Sequence, residues 1–145
     1  MNQWIATCPH ETVDVLGSEL VSLGVENQTT LYRGVMFDCD LETAYRAHFL
    51  LRTASRIQRV VAQFDVTDPT MIRMGLDDVR WQDFLRSHRA FIVRPALADR
   101  HAEHLGEEAV IASVVESIQQ CPFVKGPPRC DQGADDPITC LLYTS

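Results

Sequence analysis

Three groups of side chains in this sequence could do chemistry. The first is Cys8-Pro9-His10, a thiol beside an imidazole where a short apolar run ends. Such a pair would serve nucleophilic catalysis if a base and an oxyanion hole converged on it, and nothing else in the sequence supplies them. A strand-end cysteine is more often a small buried hydrophobe. The second group is Cys121, Cys130 and Cys140, together with His101 and His104. The cysteine spacings are long, and the histidine pair lacks an adjacent acidic partner, so no metal site is expected. Phosphate-cradling loops of the GxGxxG or Walker type are absent, so this chain by itself is expected to hold no cofactor. No catalytic residue is assigned to it.

Arginine forms the third group. Residues 43–64 contain Arg46, Arg52, Arg56 and Arg59 without an acid, and residues 84–98 contain Arg86, Arg89 and Arg94 without one. Guanidinium forks suit phosphate, and their planes can stack on unpaired RNA bases. The plainer alternative is that these arginines pair with acids such as Glu11, Glu19 and Asp77 on solvated faces.

The whole-chain charge pulls against a nucleic-acid reading. Thirteen Lys+Arg against 20 Asp+Glu give a net −7, which disfavours indiscriminate binding to nucleic acid or anionic membrane but leaves a local basic face open. With 145 residues and 46% hydrophobic content, the chain can bury roughly two-thirds of its unfolded surface without disulfide or metal staples. Its five cysteines are odd in number and without CxxC spacing, which reads as reduced thiols. No run approaches the roughly 20 apolar residues of a membrane span, and no signal-peptide pattern is present. A cytoplasmic protein is expected.

The elements that must position these residues can be read in order. Gln3–Cys8 is a strand ended by Pro9. Thr12 caps a helix with Val13, Leu16, Leu20 and Leu23 on one face, stopped by Gly24. Runs 25–33 and 35–38 flank Gly34 as a hairpin. Asp40 caps a second helix bearing Leu41, Ala44, Tyr45 and His48. A strand from Arg56 to Val66 follows, with a bulge near Val60-Val61 to restore its alternation. The order βαββαβ is the ferredoxin-like arrangement, an antiparallel sheet with two helices on one face and the other face free for a partner.

A second unit opens at Asp68-Pro69, a cap and a first-turn proline. Its apolar positions are Met71, Ile72, Leu76 and Val79, then Trp81, Phe84 and Leu85. A strand at 90–97 is expected at a sheet edge because of Pro95. A helix at 102–120 carries Leu105, Ala109, Ala112, Val115 and Ile118. Most rings belong to the core, with Tyr32 and Trp81 expected at the surface. One strand and one long helix do not close a two-layer unit, so a truncated chain is expected.

Several stretches resemble the N-terminal region of bacterial large-subunit (23S) rRNA guanine-N2-methyltransferases with a THUMP domain. They are IATCPHETVDVLGSELVSLGV, YRGVMFDCDLETAYRAHFLLRTASRI, and the pattern from VTDPTM through DVRWQDF to AFIVRPAL. The resemblance implies an α+β chain: a ferredoxin-like domain at 1–66, an incomplete THUMP α/β unit at 67–137, and a downstream methyltransferase domain using S-adenosylmethionine that is not included here. PPRCDQGADDPIT is similar more loosely, with Arg129, Asp131, Asp136 and Pro137 in family places but Cys130 where the family has Pro. Residues 138–145, ending CLLYTS, resemble translated adaptor sequence and are set aside as a non-native tail. The family's Asn/Asp-Pro-Pro-Tyr motif, which accepts from the target amine, has no counterpart in Gly126-Pro127-Pro128-Arg129.

The resemblance therefore implies RNA binding and substrate positioning on ribosomal RNA, not catalysis; the arginine runs then make Arg52, Arg56, Arg59 and Arg94 the expected phosphate anchors. Two rivals stand beside it. One is a stand-alone ferredoxin-like interaction or regulatory module that pairs through its open sheet face. The other is a small hydrolase built on Cys8 and His10.

Overall fold

A computed structural model describes residues 2–64, 68–85, 90–97, 106–121, 123, 130 and 137–142. The chain divides into two compact units, Met1–Val61 and Ala62–Ser145.

In the first unit β1 (Asn2–Thr7) leads through a 3-10 turn (His10–Thr12) into α1 (Val13–Ser22), followed by β2 (Gln28–Leu31), β3 (Gly34–Cys39), α2 (Leu41–Leu50) and β4 (Arg56–Arg59). The strands form one antiparallel sheet in the order β2-β3-β1-β4. This is the expected βαββαβ ferredoxin-like unit. Alternate residues of a strand face opposite ways, and the helix-covered face supplies Trp4, Ala6, Val35, Phe37 and Cys39 to a core shared with Val13, Leu16 and Leu20 of α1 and Ala44 of α2.

Helix α1 buries Val13, Leu16 and Leu20 as its spacing predicts. Thr12 is not its side-chain cap, because its hydroxyl donates back to the Pro9 carbonyl. Asp40 does cap α2, its carboxylate accepting from the Thr43 amide at 2.7 Å. The buried face of α2 differs from expectation. Ala44 and Ala47 are buried completely, while Leu41, Tyr45 and Phe49 are 50%, 60% and 88% exposed. The small alanines let the helix lie close to the sheet and leave no room beneath it for larger side chains.

Strand β4 is shorter than the expected 56–66. It runs antiparallel to β1, with Arg59 opposite Trp4, so the partner strand runs out two or three residues later. Residues 60–64 form no strand, no bulge is required, and Phe64 packs instead in the core of the second unit. Residues 65–67 lie outside the described set.

The second unit contains α3 (Pro69–Gly75), a 3-10 turn (Trp81–Asp83), β5 (Ile92–Leu97), α4 (Glu107–Gln120) and β6 (Pro137–Leu142). Asp68 caps α3 by accepting from the Thr70 and Met71 amides. The core gathers Ile72, Leu76, Trp81, Phe91, Val93, Val110, Val114 and Ile118. Trp81, expected at the surface, is 3% exposed, and its Nε1 donates to Ser117 Oγ at 3.0 Å.

That bond also explains an offset in α4. The face expected from Ala109, Ala112, Val115 and Ile118 is turned, so that Val110, Val114, Ser117 and Ile118 are buried and Ala112 is exposed. A serine serving as a core position hides the true stripe from a hydrophobicity pattern. The described helix runs from Glu107, behind Gly106 at φ +69°, and the expected start at 102 falls on residues 101–105, which lie outside the described set. Residues 137–142, mostly within the stretch set aside as non-native, form β6 and pair in parallel with β5, Pro95 lying opposite Cys140.

Candidate nucleic-acid interface

The residues proposed as phosphate anchors fall in three places. Arg52 follows the last turn of α2 and is exposed. Glu19 of α1, an expected partner for these arginines, accepts instead from the backbone amides of Arg52 and Thr53 at 3.3 and 3.2 Å. Arg56 opens β4 opposite Thr7 of β1 and is also exposed. Arg59 lies opposite Trp4, and its guanidinium donates to Asn2 Oδ1 at 2.9 Å. Three positions apart on one strand, Arg56 and Arg59 leave the sheet on opposite faces. Arg94 belongs to β5 of the second unit, and its side chain is outside the described set, as are Arg86 and Arg89. Only Arg52 and Arg56 are therefore brought to a common end of one sheet.

The ion pairs found among the described residues lie elsewhere. Arg73 pairs with Asp77 at 2.8 Å and Arg80 with Asp83 at 3.5 Å, both on exposed local stretches of the second unit. Asp77 is thus engaged by its own helix neighbour.

Sequence reasoning missed three residues that the fold carries to the Arg56 end. The β2–β3 hairpin turns through Tyr32-Arg33, and the Arg33 carbonyl accepts from the Cys8 amide at 3.0 Å. His10 donates from Nδ1 to the Tyr32 carbonyl at 2.7 Å, and the two rings stack with centroids 4.2 Å apart and planes 19° from parallel. Gly34 begins β3 here because a Cβ would collide with the Ala6 carbonyl oxygen of β1. The glycine signals the hairpin in the sequence. Which residues the hairpin meets is set by the pairing of β1 with β3.

The opposite end of the sheet, where Arg59 bonds to Asn2, also carries Glu26 and Asp38. A shallow depression of about 310 Å³ is lined there by Gln3, Glu26, Asn27, Gln28 and Asp38 among others. Asp40 stands nearby on the chain, its carboxyl held below the ordinary aspartate range by the Thr43 amide, then by the Thr43 side chain, with Arg46 acting in the same direction.

The Cys8–His10 pair is not assembled as a nucleophile and base. Cys8 is 4% exposed within the core, while His10 is exposed and committed to Tyr32. Burial, then the Asp40 and Asp38 charges, push the Cys39 thiol up. Among the described residues no group of three metal-ligating side chains occurs, and no helix is long and apolar enough to cross a membrane.

A four-stranded antiparallel sheet of ferredoxin-like βαββαβ order, followed by a second α/β unit, defines the fold class of this chain. Residues 3–58, the strands and helices of the first unit, match the model of the RlmL ferredoxin-like domain. The chain is 30% identical over 129 residues to the "Ribosomal RNA large subunit methyltransferase K/L" of Vibrio campbellii, which covers 89% of this chain and 18% of that protein. It is 29% identical over 93 residues to the protein of the same name from Aliivibrio salmonicida, covering 64% of this chain and 13% of the relative. The chain thus spans less than a fifth of the length of these relatives. Two solved structures share the fold over 97% of this chain. SMU.472, named as a methyltransferase and solved with SAH, has TM-score 0.75 and 24% identity, and 38% of it is covered. A protein from Listeria monocytogenes, named a predicted N6-adenine-specific DNA methylase, has TM-score 0.79 and 22% identity, with 37% covered.

Proposed function

We propose that this chain is the RNA-recognising, substrate-positioning part of an S-adenosylmethionine-dependent rRNA guanine methyltransferase of the cytoplasm, its second unit acting as a THUMP-type module. The observation that carries this reading is the 89% of the chain that aligns with a large-subunit rRNA methyltransferase. Supporting it are Arg52 and Arg56, exposed at one sheet end, with no ion pair to a described acid. Arginines there anchor phosphates while the shape of the unit selects a structured RNA. Among the described residues no glycine-rich strand-to-helix turn is present to cradle the methyl donor. On this reading methyl transfer is the work of a catalytic domain of the parent protein.

The test is binding of the chain to a labelled large-subunit rRNA fragment across a salt series. Replacing Arg52 and Arg56 together with Ala is expected to weaken binding and to flatten the slope of log K against log salt by about two. An unchanged slope and affinity would remove both residues from the interface.

A further inference from the structure

RNA binding through a ferredoxin-like sheet can use the strand face or the strand ends. The face turned away from the helices carries no aromatic ring in this unit, because Trp4 and Phe37 both point to the core side. Its buried members are the aliphatic Ile5 and Met36, and its far end bears Asp38 beside Glu26. A base has nothing there to stack on, and a phosphate meets acid.

The other end of the same sheet differs on both counts. Thr7 of β1 is paired on one side with Gly34 and on the other with Arg56. Two strand spacings, about 10 Å, therefore separate the hairpin that carries Tyr32-Arg33 from the start of β4, and a nucleotide with its flanking phosphates spans that distance. Tyr32 is 73% exposed yet is not a loose side chain. One side of its ring is packed on His10, whose Nδ1–H is fixed to the Tyr32 carbonyl. An aromatic ring backed in this way loses little freedom when a base lands on its open side. The acids at this end are Glu11 and Asp14 at the start of α1, and Glu19, which is held by the Arg52 and Thr53 amides.

We infer that the Tyr32 ring, backed by His10 and flanked by Arg33 and Arg56, is a site for an unpaired RNA nucleotide, the base stacking on Tyr32 and the neighbouring phosphates lying on the two arginines. This inference rests on the RNA-binding reading above and assigns the contact to one end of the sheet. Such a site is expected to prefer single-stranded over duplex RNA, since a base must be free of its own stack to use the ring.

The test uses the full chain and fluorescence anisotropy with a short labelled single-stranded RNA of mixed sequence, the same sequence as a duplex, and the structured rRNA fragment. Tyr32→Ala is expected to weaken single-strand binding about tenfold or more, Tyr32→Phe to retain it, and duplex binding to change little in either. Arg33→Ala with Arg56→Ala is expected to lower the salt slope for the single strand by about 1.4. Tyr32 is exposed, so its replacement leaves the core intact, and a matching thermal melt confirms this. If the chain binds the rRNA fragment but Tyr32→Ala binds the single strand as the parent does, the inference is overturned while the RNA-binding reading stands. If Tyr32→Phe loses as much as Tyr32→Ala, the ring is not a stacking platform and the inference also falls. If the parent chain binds none of the three RNAs, both fall together.

Discussion

In the first unit every described strand pair is antiparallel, and β2 meets β3 across the two residues Tyr32-Arg33; in the second, β5 pairs in parallel with β6 across the whole stretch from Leu97 to Pro137. Local pairing leaves marks that neighbouring residues carry, such as the hairpin glycine, the Asp40 cap and strand alternation. Parallel pairing across a long connection leaves none, because its partners lie far apart in the chain. The cores differ in the same sense. The first is an aliphatic and aromatic cluster, whereas the second is keyed by a buried hydrogen bond from Trp81 to Ser117, which itself reaches the Leu76 carbonyl at 3.5 Å.

Substitutions can sharpen that contrast. The largest loss is expected from Phe37→Ala, which empties a ring position 2% exposed at the centre of the first sheet. A cost of about 3–5 kcal/mol should appear in denaturant unfolding followed by Trp4 emission. A loss below 1 kcal/mol would mean that the helices do not close over that face.

Gly34→Ala comes next, at about 1–3 kcal/mol of overpacking, since the new methyl would strike the backbone carbonyl of Ala6. Gly75→Ala in the second unit makes the instructive pair. There the methyl meets a side chain rather than backbone, the Phe64 ring at 2.5–2.6 Å, so the ring must move within its core while the helix gains an alanine. Thermal melts of the two variants should separate, with Gly34→Ala clearly lower. Equal melting temperatures would contradict the close β1–β3 approach.

For the second core, Ser117→Ala strands the Trp81 Nε1–H in an apolar pocket, and a cost of about 1.5 kcal/mol is expected. Tryptophan emission should change with it, and no shift in either would show that the indole finds another acceptor.

The smallest effect belongs to Asp40 and appears only in acid. Hydrogen bonds to its ionised carboxylate lower the folded-state pKa, so its stabilisation is present above the ordinary aspartate range and is lost as pH falls through the folded value. Asp40→Asn keeps a capping acceptor and should leave neutral-pH stability nearly unchanged while flattening the acid limb of a melting-temperature profile. The same acid slope in both proteins would separate the cap from the pH dependence.

Much of this fold was legible in the residues, and the exceptions share a cause. The cap at Asp68, the first-turn proline, the α1 face and the β2–β3 hairpin follow from properties of adjacent positions. The misreadings of Trp81 as exposed, of Tyr45 as a core ring and of Ala112 as inward all concern which side of an element meets its neighbour. Ala44 and Ala47, small enough for close approach, displaced larger residues from the interface, and Ser117 took a core place that hydropathy assigns elsewhere.

The candidate site divides in the same way. Arg52 and Arg56 were visible as an acid-free arginine run, because charge patterning is a property of the chain. His10, Tyr32 and Arg33 were not, because they converge with Arg56 only when β1 lies between β3 and β4. The sequence by itself determined the order βαββαβ, the caps and the chemistry of each side chain, all of which depend on residues within a turn or two of one another. The tertiary structure alone decided that Arg33 and Arg56 flank an exposed ring at one end of the sheet while Glu26 and Asp38 line a depression at the other, since strand order and register are set by long-range burial rather than by local preference.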